Sequence, residues 1–276
     1  MRLRFSKMHG LGNDFVVFDA VSQDVPLTPE LVRKIADRRF GIGCDQVLLA
    51  EPARDLGVDF HYRIYNADGG EVAQCGNGAR CLARFVLDQG LSDKQELIVS
   101  TALDTMRLVM RSDGQVRVNM GRPRLEPSNV PFKATVRAPR YRLLVADTEV
   151  EIGAVSMGNP HAVLQVGSVG VAPVETLGAA IEGHAAFPER VNVGFMEIVD
   201  RNHIQLRVFE RGVGETLACG SGACAAVVCG RLQALLDDSV TVSLPGGDLE
   251  IHWSGGEQPV YLTGPAQHVF DGYIDL

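Results

Sequence analysis

YRIYNADGGEVAQCGNGA, at residues 62–79, recurs as LRVFERGVGETLACGSGA at residues 206–223, an offset of 144 (206 minus 62). The two stretches align without a gap, and the hydrophobic pairs Ile64/Val208 and Tyr65/Phe209 keep their residue type. The identical positions are Arg63/Arg207, Gly70/Gly214, Glu71/Glu215, Cys75/Cys219, Gly76/Gly220, Gly78/Gly222 and Ala79/Ala223. Such a repeat predicts two copies of one supersecondary unit, each with a cysteine beside glycines.

The repeat extends outward from these two motifs. At a nearby offset of 146 (158 minus 12), GNDFVVF at 12–18 aligns with GNPHAVL at 158–164, and Gln46-Val47 aligns with Asn192-Val193. The matches keep the same order over a similar span of each half. We therefore predict two similar domains, each of which presents one cysteine.

Each motif reads as a strand, a turn, Cys-Gly-x-Gly-Ala and an apolar helix, so Cys75 and Cys219 are expected at helix N-termini. Backbone N–H groups point outward there, and the helix dipole adds about half a positive charge. This environment favours a thiolate, so we expect the pKa of each cysteine to be lowered. The N–H groups of Gly76-Asn77 and Gly220-Ser221 are expected to bind a carboxylate.

Two such motifs facing each other would hold one carboxylate between two helix N-termini, with a sulfur on either side of its α-carbon. One cysteine would remove the α-proton, and the other would deliver a proton to the opposite face. The helix N-termini would stabilise the charge that develops as the proton leaves. The paired motifs therefore predict an enzyme that inverts a carbon by proton transfer between Cys75 and Cys219.

Period-two alternation of apolar residues predicts that strands dominate the chain, with few helices. The predicted helices are 28–39, with Thr28 as N-cap and Pro29 in the first turn, and the two apolar segments 76–90 and 220–236. The predicted strands are 14–20, 59–66, 106–111, 115–120, 162–166, 192–199, 204–210, 240–244 and 249–253.

Composition narrows the possible classes of protein. The formal net charge is −8, whereas a nucleic-acid binder would carry a basic patch, so we expect no nucleic-acid partner. The first residues, MRLRFSKMHGLGND, lack the apolar region of a signal peptide, and no apolar run is long enough to cross a membrane. The expectation is a soluble cytoplasmic protein that does not bind a membrane.

The six cysteines do not suggest a metal site. Cys219, Cys224 and Cys229 are spaced by five residues, so on a helix their sulfurs diverge by about 140° at each step. No Cys-x-x-Cys pair accompanies them, and we predict that Cys44, Cys81, Cys224 and Cys229 are buried structural residues. Pyridoxal phosphate requires a Schiff-base lysine, and Lys7, Lys34, Lys94 and Lys133 all lie outside the cysteine motifs.

At these residues the sequence resembles the diaminopimelate epimerase family. The matching blocks are KMHGLGNDF (7–15), YNADGGEVAQCGNGARC (65–81), SMGNPHAV (156–163), RVNVGF (190–195) and ERGVGETLACGSGA (210–223). The resemblance implies interconversion of LL- and meso-diaminopimelate on the route to lysine and peptidoglycan, without cofactor or metal. It also implies that the protein is a homodimer.

The resemblance assigns roles residue by residue. It makes Cys75 and Cys219 the acid/base pair, and Gly76-Asn77 and Gly220-Ser221 the binding site for the reacting carboxylate. It implies that Glu210 binds an ammonium group and that His161 and Glu210 tune the cysteine pKa values. The residues implied to bind the far end of the substrate are Asn13, Gln46, Asn66, Asn159, Asn192 and Arg211. Arg63 and Arg207 lie in mid-strand, so we predict a structural role for them.

The fold implied by the resemblance is α/β of the α+β type, with two pseudo-symmetric domains. Each domain is a mixed, mostly antiparallel β-sheet or barrel wrapped around a central α-helix, and the active site lies in the cleft between the domains. The expected bounds are 1–120 with 265–276 for the domain that carries Cys75, and 121–264 for the domain that carries Cys219. The sequence leaves open which cysteine is the resting thiolate and how far the domains close.

Three alternative functions remain. One is another two-cysteine epimerase of the same fold, of the proline or hydroxyproline type, although Arg211 and the amides favour a longer substrate with a second charged end. Another is a thiol–disulfide oxidoreductase, although redox dithiols normally lie close in sequence. The third is a binding protein without catalysis, which sensitivity of turnover to alkylation would exclude.

Overall fold

The computed structural model describes residues 2–72, 75–102 and 105–275, so positions 73 and 74 of the first cysteine motif lie outside it. The chain forms two compact units. Unit 1 consists of Met1–Asn119 with Thr263–Leu276, and unit 2 of Met120–Leu262.

Unit 1 is built mainly from strands. Its elements are β1 (Arg2–Gly10), β2 (Asn13–Asp19), α1 (Pro29–Ala36), β3 (Gln46–Pro52), β4 (Phe60–Asn66), β5 (Glu71–Val72), α2 (Gly76–Asp88), β6 (Glu96–Ser100), β7 (Thr105–Met110) and β8 (Val116–Asn119). Helix α1 begins as predicted, because the Thr28 hydroxyl accepts the N–H of Leu31 and Pro29 occupies the first turn. It ends at Ala36, three residues before the predicted end.

Unit 2 repeats this order of elements. After a 3-10 turn at Pro127–Asn129 it contains β9 (Tyr141–Val145), β10 (Thr148–Ser156), β11 (Pro160–Gln165), α3 (Val174–Glu182), β12 (Asn192–Asp200), β13 (His203–Glu210), β14 (Gly214–Thr216), α4 (Gly220–Leu232), β15 (Ser239–Leu244) and β16 (Gly247–His252). Strand β17 (Tyr261–Gly264) follows. The last strand, β18 (Gln267–Asp275), pairs with β1 of unit 1.

The sheets are mixed and largely antiparallel, as predicted. In unit 1 the pairs β2–β3 and β4–β6 are parallel, and in unit 2 the pairs β11–β12 and β13–β15 are parallel. The register follows the sequence repeat, because Phe15 pairs with Gln46 just as His161 pairs with Asn192. The two motifs are therefore placed by the same backbone arrangement in both units.

A bidentate ion pair recurs at the start of both motifs. The Arg63 guanidinium donates to both carboxylate oxygens of Glu71 at 2.9 Å. Arg207 makes the same pair with Glu215 at 2.6 and 2.7 Å. Four of the residues that are identical in the repeat thus tie β4 to β5 and β13 to β14, which supports the predicted structural role of both arginines.

A largely buried helix packs against the sheet in each unit. Helix α2 contacts β1, β2, β3, β7 and β8, and α4 contacts β10, β11, β12, β13 and β16. Their small residues allow close approach. A Cβ at Gly78 would lie 2.4 Å from the Tyr62 hydroxyl, so only glycine fits there. The predicted central helices are present, although each ends before the predicted residue.

Helix α3 was not predicted from the sequence. Its N-cap is Pro173, which makes no side-chain capping hydrogen bond, and Gly178 lies in its middle, so the usual signals for a helix are missing. Burial stabilises it instead, since Val174 and Ile181 join the apolar cluster that contains Phe195. A Cβ at Gly178 would meet Phe209 at 2.8 Å, which explains the glycine. None of the described helices has the length and apolar character needed to cross a membrane.

Candidate active site

Cys75 is the N-cap of α2, as the first motif predicts. Its Sγ accepts the N–H of Gly78 at 3.5 Å and lies 3.8 Å from Oδ1 of Asn13. The side chain is only partly buried. The Cys75 thiol therefore lies at the positive end of the α2 dipole and is accessible to a ligand.

Asn13 is held beside Cys75 by the turn between β1 and β2. The backbone at Leu11 and Gly12 has φ values of 57° and 86°, which makes the turn tight. The Asn13 amide donates to Asp45 at 3.0 Å, and its Oδ1 accepts from Nδ2 of Asn77 at 3.2 Å. Its oxygen therefore points toward Cys75 and Asn77.

Asp14 and Asp45 anchor this turn. Burial would raise the pKa of Asp14, but the hydrogen bonds from Arg38 and Lys7 outweigh it and hold that pKa well below its usual range. Arg38 also pairs with Asp45 at 2.7 Å. The carboxylate that holds the Asn13 amide is thus part of a charged network, for which the repeat and the motifs give no signal.

Asn77 is positioned by a buried arginine. The Arg80 side chain, 0% exposed, donates to Oδ1 of Asn77 at 2.9 Å and to the Pro265 carbonyl at 3.0 Å. Repeat position 224 carries cysteine instead of arginine, so the repeat offered no signal for Arg80.

Gln46 and Asn66 lie side by side on β3 and β4. Nε2 of Gln46 donates to Oδ1 of Asn66 at 2.8 Å. The other polar atom of this amide, Oε1 of Gln46, is buried and has no hydrogen-bond partner among the described residues. A buried acceptor of this kind is costly unless a ligand donates to it.

Cys219, the N-cap of α4, has a more polar environment than Cys75. Its Sγ donates to Oε2 of Glu210 at 3.1 Å, and Oε1 of Glu210 accepts from the Thr216 hydroxyl at 2.6 Å. On its other side Sγ lies 3.6 Å from the Ser221 hydroxyl. Thr216 was missed because its repeat partner is Val72, whose side chain has no hydroxyl to donate.

The expected lowering of the cysteine pKa is wrong for Cys219. Burial raises the pKa of this thiol well above its usual value, and the negative charge of Glu210 raises it further. The nearby Ser221 hydroxyl and Gly222 N–H lower this pKa, but more weakly. Burial removes the water that solvates a thiolate. A helix N-terminus therefore favours a thiolate only where solvent or a cation still stabilises the negative charge. Cys219 is therefore protonated at neutral pH in this state.

His161 joins Ser221 to Asn159. Its Nε2 lies 3.1 Å from the Ser221 hydroxyl and 3.0 Å from Oδ1 of Asn159, an acceptor, so this nitrogen carries the proton. Burial, and then the charge of Arg211, lowers the pKa of His161 to about 3. His161 is therefore a neutral donor in the site and does not act as a cation.

Arg211 and Asn192 complete the polar cluster in unit 2. The backbone N–H of Arg211 donates to Oδ1 of Asn192 at 3.0 Å, and Nδ2 of Asn192 donates to the Pro160 carbonyl at 3.0 Å. Nη1 of Arg211 donates to the Glu189 carbonyl at 2.8 Å, and the side chain is exposed. Arg211 thus presents a guanidinium to solvent near the Cys219 network.

Each unit gathers the site residues predicted for it. In unit 1, Cys75, Asn13 and Asn77 are hydrogen-bonded together, with Gln46 and Asn66 as a separate pair. In unit 2 the hydrogen bonds join Cys219, Glu210, Ser221, His161 and Asn159 in one chain, and Asn192 and Arg211 in another. Gly76 and Gly220 begin α2 and α4. Among the described residues, no group of three His, Cys, Asp or Glu side chains could hold a metal ion.

Fold and site together define an isomerase of the amino-acid epimerase class. The model of the family described as diaminopimelate epimerase matches residues 5–126 and 153–269. Because these ranges include both cysteine motifs and most of the chain, the protein belongs to the diaminopimelate epimerase family.

Solved structures share this fold at low sequence identity. A hydroxyproline epimerase from Agrobacterium vitis, with bound trans-4-hydroxy-L-proline, aligns with a TM-score of 0.73 at 16% identity, covering 99% of this chain and 92% of that chain. A Bacillus anthracis phenazine biosynthesis protein of the PhzF family gives 0.71 at 15%, covering 100% of both chains. A probable proline racemase from Agrobacterium radiobacter gives 0.71 at 17%, covering 99% and 93%. At these identities the similarity describes the fold alone.

Proposed function

We propose that this epimerase interconverts LL- and meso-diaminopimelate, and so supplies a precursor of lysine and peptidoglycan. The observation that carries the proposal is the pair of N-capping cysteines, Cys75 and Cys219, each at the start of the central helix of its unit. The reaction requires both thiols to reach one α-carbon from opposite sides. Thiolate and thiol exchange roles in the two directions, so no cofactor is needed.

The two cysteines differ in ways that suit different starting roles. Cys219 donates to Glu210, and its raised pKa keeps it a proton donor at rest. The Cys75 sulfur accepts the N–H of Gly78 and lies 3.8 Å from Oδ1 of Asn13, a neutral amide oxygen. The position that Glu210 occupies in the second motif is Asn66 in the first, so the repeat supplies an uncharged residue there. We propose that Cys75 is the base for the substrate that binds the resting enzyme.

The preference for diaminopimelate rests on Arg211 and the amides. An exposed guanidinium can bind a carboxylate by two parallel hydrogen bonds, and the second carboxylate of diaminopimelate is a suitable partner for it. The unsatisfied Oε1 of Gln46 is an acceptor for an ammonium group. Proline and hydroxyproline lack a second charged end and would give Arg211 and Oε1 of Gln46 no ligand group to bind, which disfavours these two substrates.

The deciding experiment is turnover of LL-diaminopimelate by purified protein, followed by circular dichroism, beside L-proline and trans-4-hydroxy-L-proline at equal concentration. We expect inversion of diaminopimelate and almost none of the two cyclic substrates. Arg211→Lys should raise KM for diaminopimelate about tenfold, because an ammonium does not reproduce a planar fork. Arg201→Lys, which changes an arginine paired with Asp237, is the matched control. Comparable or faster turnover of proline would replace this proposal with a proline-type epimerase.

We further propose that the protein works in the cytoplasm as a homodimer. Strand β18 exposes Val269, Phe270 and Tyr273, with relative exposures of 53%, 46% and 62%, which is unusual for three large apolar side chains on one strand. Light scattering coupled to size-exclusion chromatography measures the mass directly. A mass near the 29.8 kDa of one chain at micromolar concentration would contradict the dimer.

A further inference from the structure

Glu182 is a buried carboxylate that the proposed proton transfer does not use. It is the last residue of α3, and only 3% of its surface is exposed. A buried charge is costly unless it is paired and hydrogen-bonded. The hydrogen-bond partners of Glu182 therefore indicate its role.

The two oxygens of Glu182 bind two different loops. Oε1 accepts the backbone N–H of Gly212 at 2.9 Å, and Oε2 accepts from the guanidinium of Arg190. Arg190 has a φ of 61°, which is uncommon for a residue with a Cβ, and Gly212 has a φ of 75°. One carboxylate thus ties the 189–192 loop to the 210–213 turn.

These loops are the two that hold Arg211. Its backbone N–H binds Asn192, and its Nη1 binds the carbonyl of Glu189, one residue before Arg190. Gly212, whose N–H binds Glu182, directly follows Arg211 in the chain. Glu182 therefore fixes both the backbone that carries the guanidinium and the carbonyl that orients it.

We propose that Glu182 is a positioning residue for Arg211, and through it a determinant of specificity for a substrate with a second carboxylate. This inference rests on the proposed function for its substrate, but its structural part does not. A charged carboxylate is needed because both of its oxygens accept. Glutamine would place an NH2 group against either the Gly212 N–H or Arg190, so one donor would always face another donor.

The test compares Glu182→Gln with Glu197→Gln. Glu197 is the matched control, since it also accepts a loop N–H in unit 2, that of Val169 at 2.8 Å, and Val169 is not one of the site residues. Glu182→Gln should raise KM for diaminopimelate about tenfold, and kcat should stay within about twofold. In a double-mutant cycle with Arg211→Lys the two effects should not add, because both act on one guanidinium. A purely structural role would lower the amount of active enzyme and leave KM unchanged.

Amide hydrogen exchange gives a readout independent of activity. The peptide that contains Gly212 should exchange faster in Glu182→Gln than in the wild type or in Glu197→Gln. If the wild type does not turn over diaminopimelate, the proposed function fails while this exchange experiment still decides whether Glu182 positions the turn. If Glu182→Gln does not fold, Arg190→Gln tests the same carboxylate from its exposed partner and should raise KM about threefold. Additive effects, an unchanged KM or unchanged exchange would overturn the inference.

Discussion

Cys75 and Cys219 occupy equivalent backbone positions, but their neighbours differ. The repeat places Asn66 opposite Glu210, Asn77 opposite Ser221, and Phe15 opposite His161. Unit 2 thus supplies a carboxylate and an imidazole where unit 1 supplies an amide and a phenyl ring. In the proposed two-base reaction one sulfur begins with the proton and the other without it, and this difference favours Cys219 as the sulfur that begins protonated.

At the residue scale, Glu210→Gln should lower the pKa of Cys219. Removal of the carboxylate removes a nearby negative charge, so more of Cys219 is thiolate at a given pH and alkylation becomes faster. Peptide-level mass spectrometry after brief iodoacetamide treatment, from about pH 7 to about pH 10, measures this. Glu215→Gln, which affects the carboxylate paired with Arg207, is the control. An identical pH profile in both variants would show that Glu210 does not control this thiol.

A second residue-scale prediction concerns His161. Its pKa of about 3 in the folded protein lies below the 6.5 of a free histidine, so on acidification the unfolded chain takes up a proton that the folded chain does not. The stability of the wild type should therefore fall relative to His161→Gln as the pH drops below about 6.5. Urea unfolding of both proteins at about pH 7 and about pH 5, on either side of that value, gives the comparison. A stability difference that does not change with pH would contradict a neutral, buried His161.

At the scale of elements, the position of each cysteine depends on how closely its helix approaches the sheet. In unit 1 the contact is between Gly78 of α2 and the Tyr62 hydroxyl of β4. In unit 2 the equivalent residue is Gly222, and a Cβ added there would lie 3.1 Å from Cγ2 of Val208. Helix α4 therefore has more room at this position than α2. The two helices thus reach similar positions through different packing.

Gly78→Ala should destabilise the protein by about 1–3 kcal/mol, because the new methyl group overlaps the Tyr62 hydroxyl. Tyr62→Phe removes that oxygen, which has no hydrogen-bond partner among the described residues, so it should not lower stability. The double variant should recover most of the loss. Thermal unfolding of the wild type, the two single variants and the double variant measures the coupling. If Gly78→Ala costs the same stability with and without Tyr62→Phe, the strain lies elsewhere.

At the scale of the whole molecule, the proposed reaction uses one thiol from each unit. A proton removed by one thiol is then not the proton returned by the other, since the returned proton comes from a thiol that has exchanged with solvent. The origin of the returned proton therefore distinguishes a two-base mechanism from a mechanism in which a single base moves across the substrate.

In heavy water, the first product formed should therefore carry deuterium at the inverted carbon, while unreacted substrate carries little. Mass spectrometry and proton NMR at low conversion measure both pools. Cys75→Ala and Cys219→Ala should each abolish inversion, and the double variant should be no worse, because the pair acts as a unit. Cys44→Ala, at a buried cysteine outside the two motifs, is the control. Unlabelled early product would exclude a two-base mechanism.

Local sequence signals predicted only some of the elements. The Thr28 cap and Pro29 marked α1, and alternation marked β2, β4, β7, β8, β11, β12, β13, β15 and β16. The other strands, including the nine-residue strands β1, β10 and β18, were not predicted by alternation. Helix α3 has neither a cap nor a clear pattern, because packing of Val174 and Ile181 stabilises it. The partners of the site residues were missed for the same reason. Asp45 lies outside the quoted motifs, and Arg80 and Thr216 lie inside them without a chemically similar residue at the repeat position, so their roles arise from contacts that only the folded chain creates.

The repeat in the sequence was enough to predict two similar units, each with a cysteine at the start of an apolar helix. These features follow from local periodicity and from glycines that permit close approach. Periodicity and glycine positions can both be read directly from the amino-acid sequence. The protonation of Cys219 and His161, and the support of Arg211 by Glu182, depended on the tertiary structure. Burial and through-space charge set a pKa, and residues far apart in the chain provide both. A helix N-terminus can be recognised in a sequence, whereas the carboxylate that opposes its effect is identified only once the chain has folded.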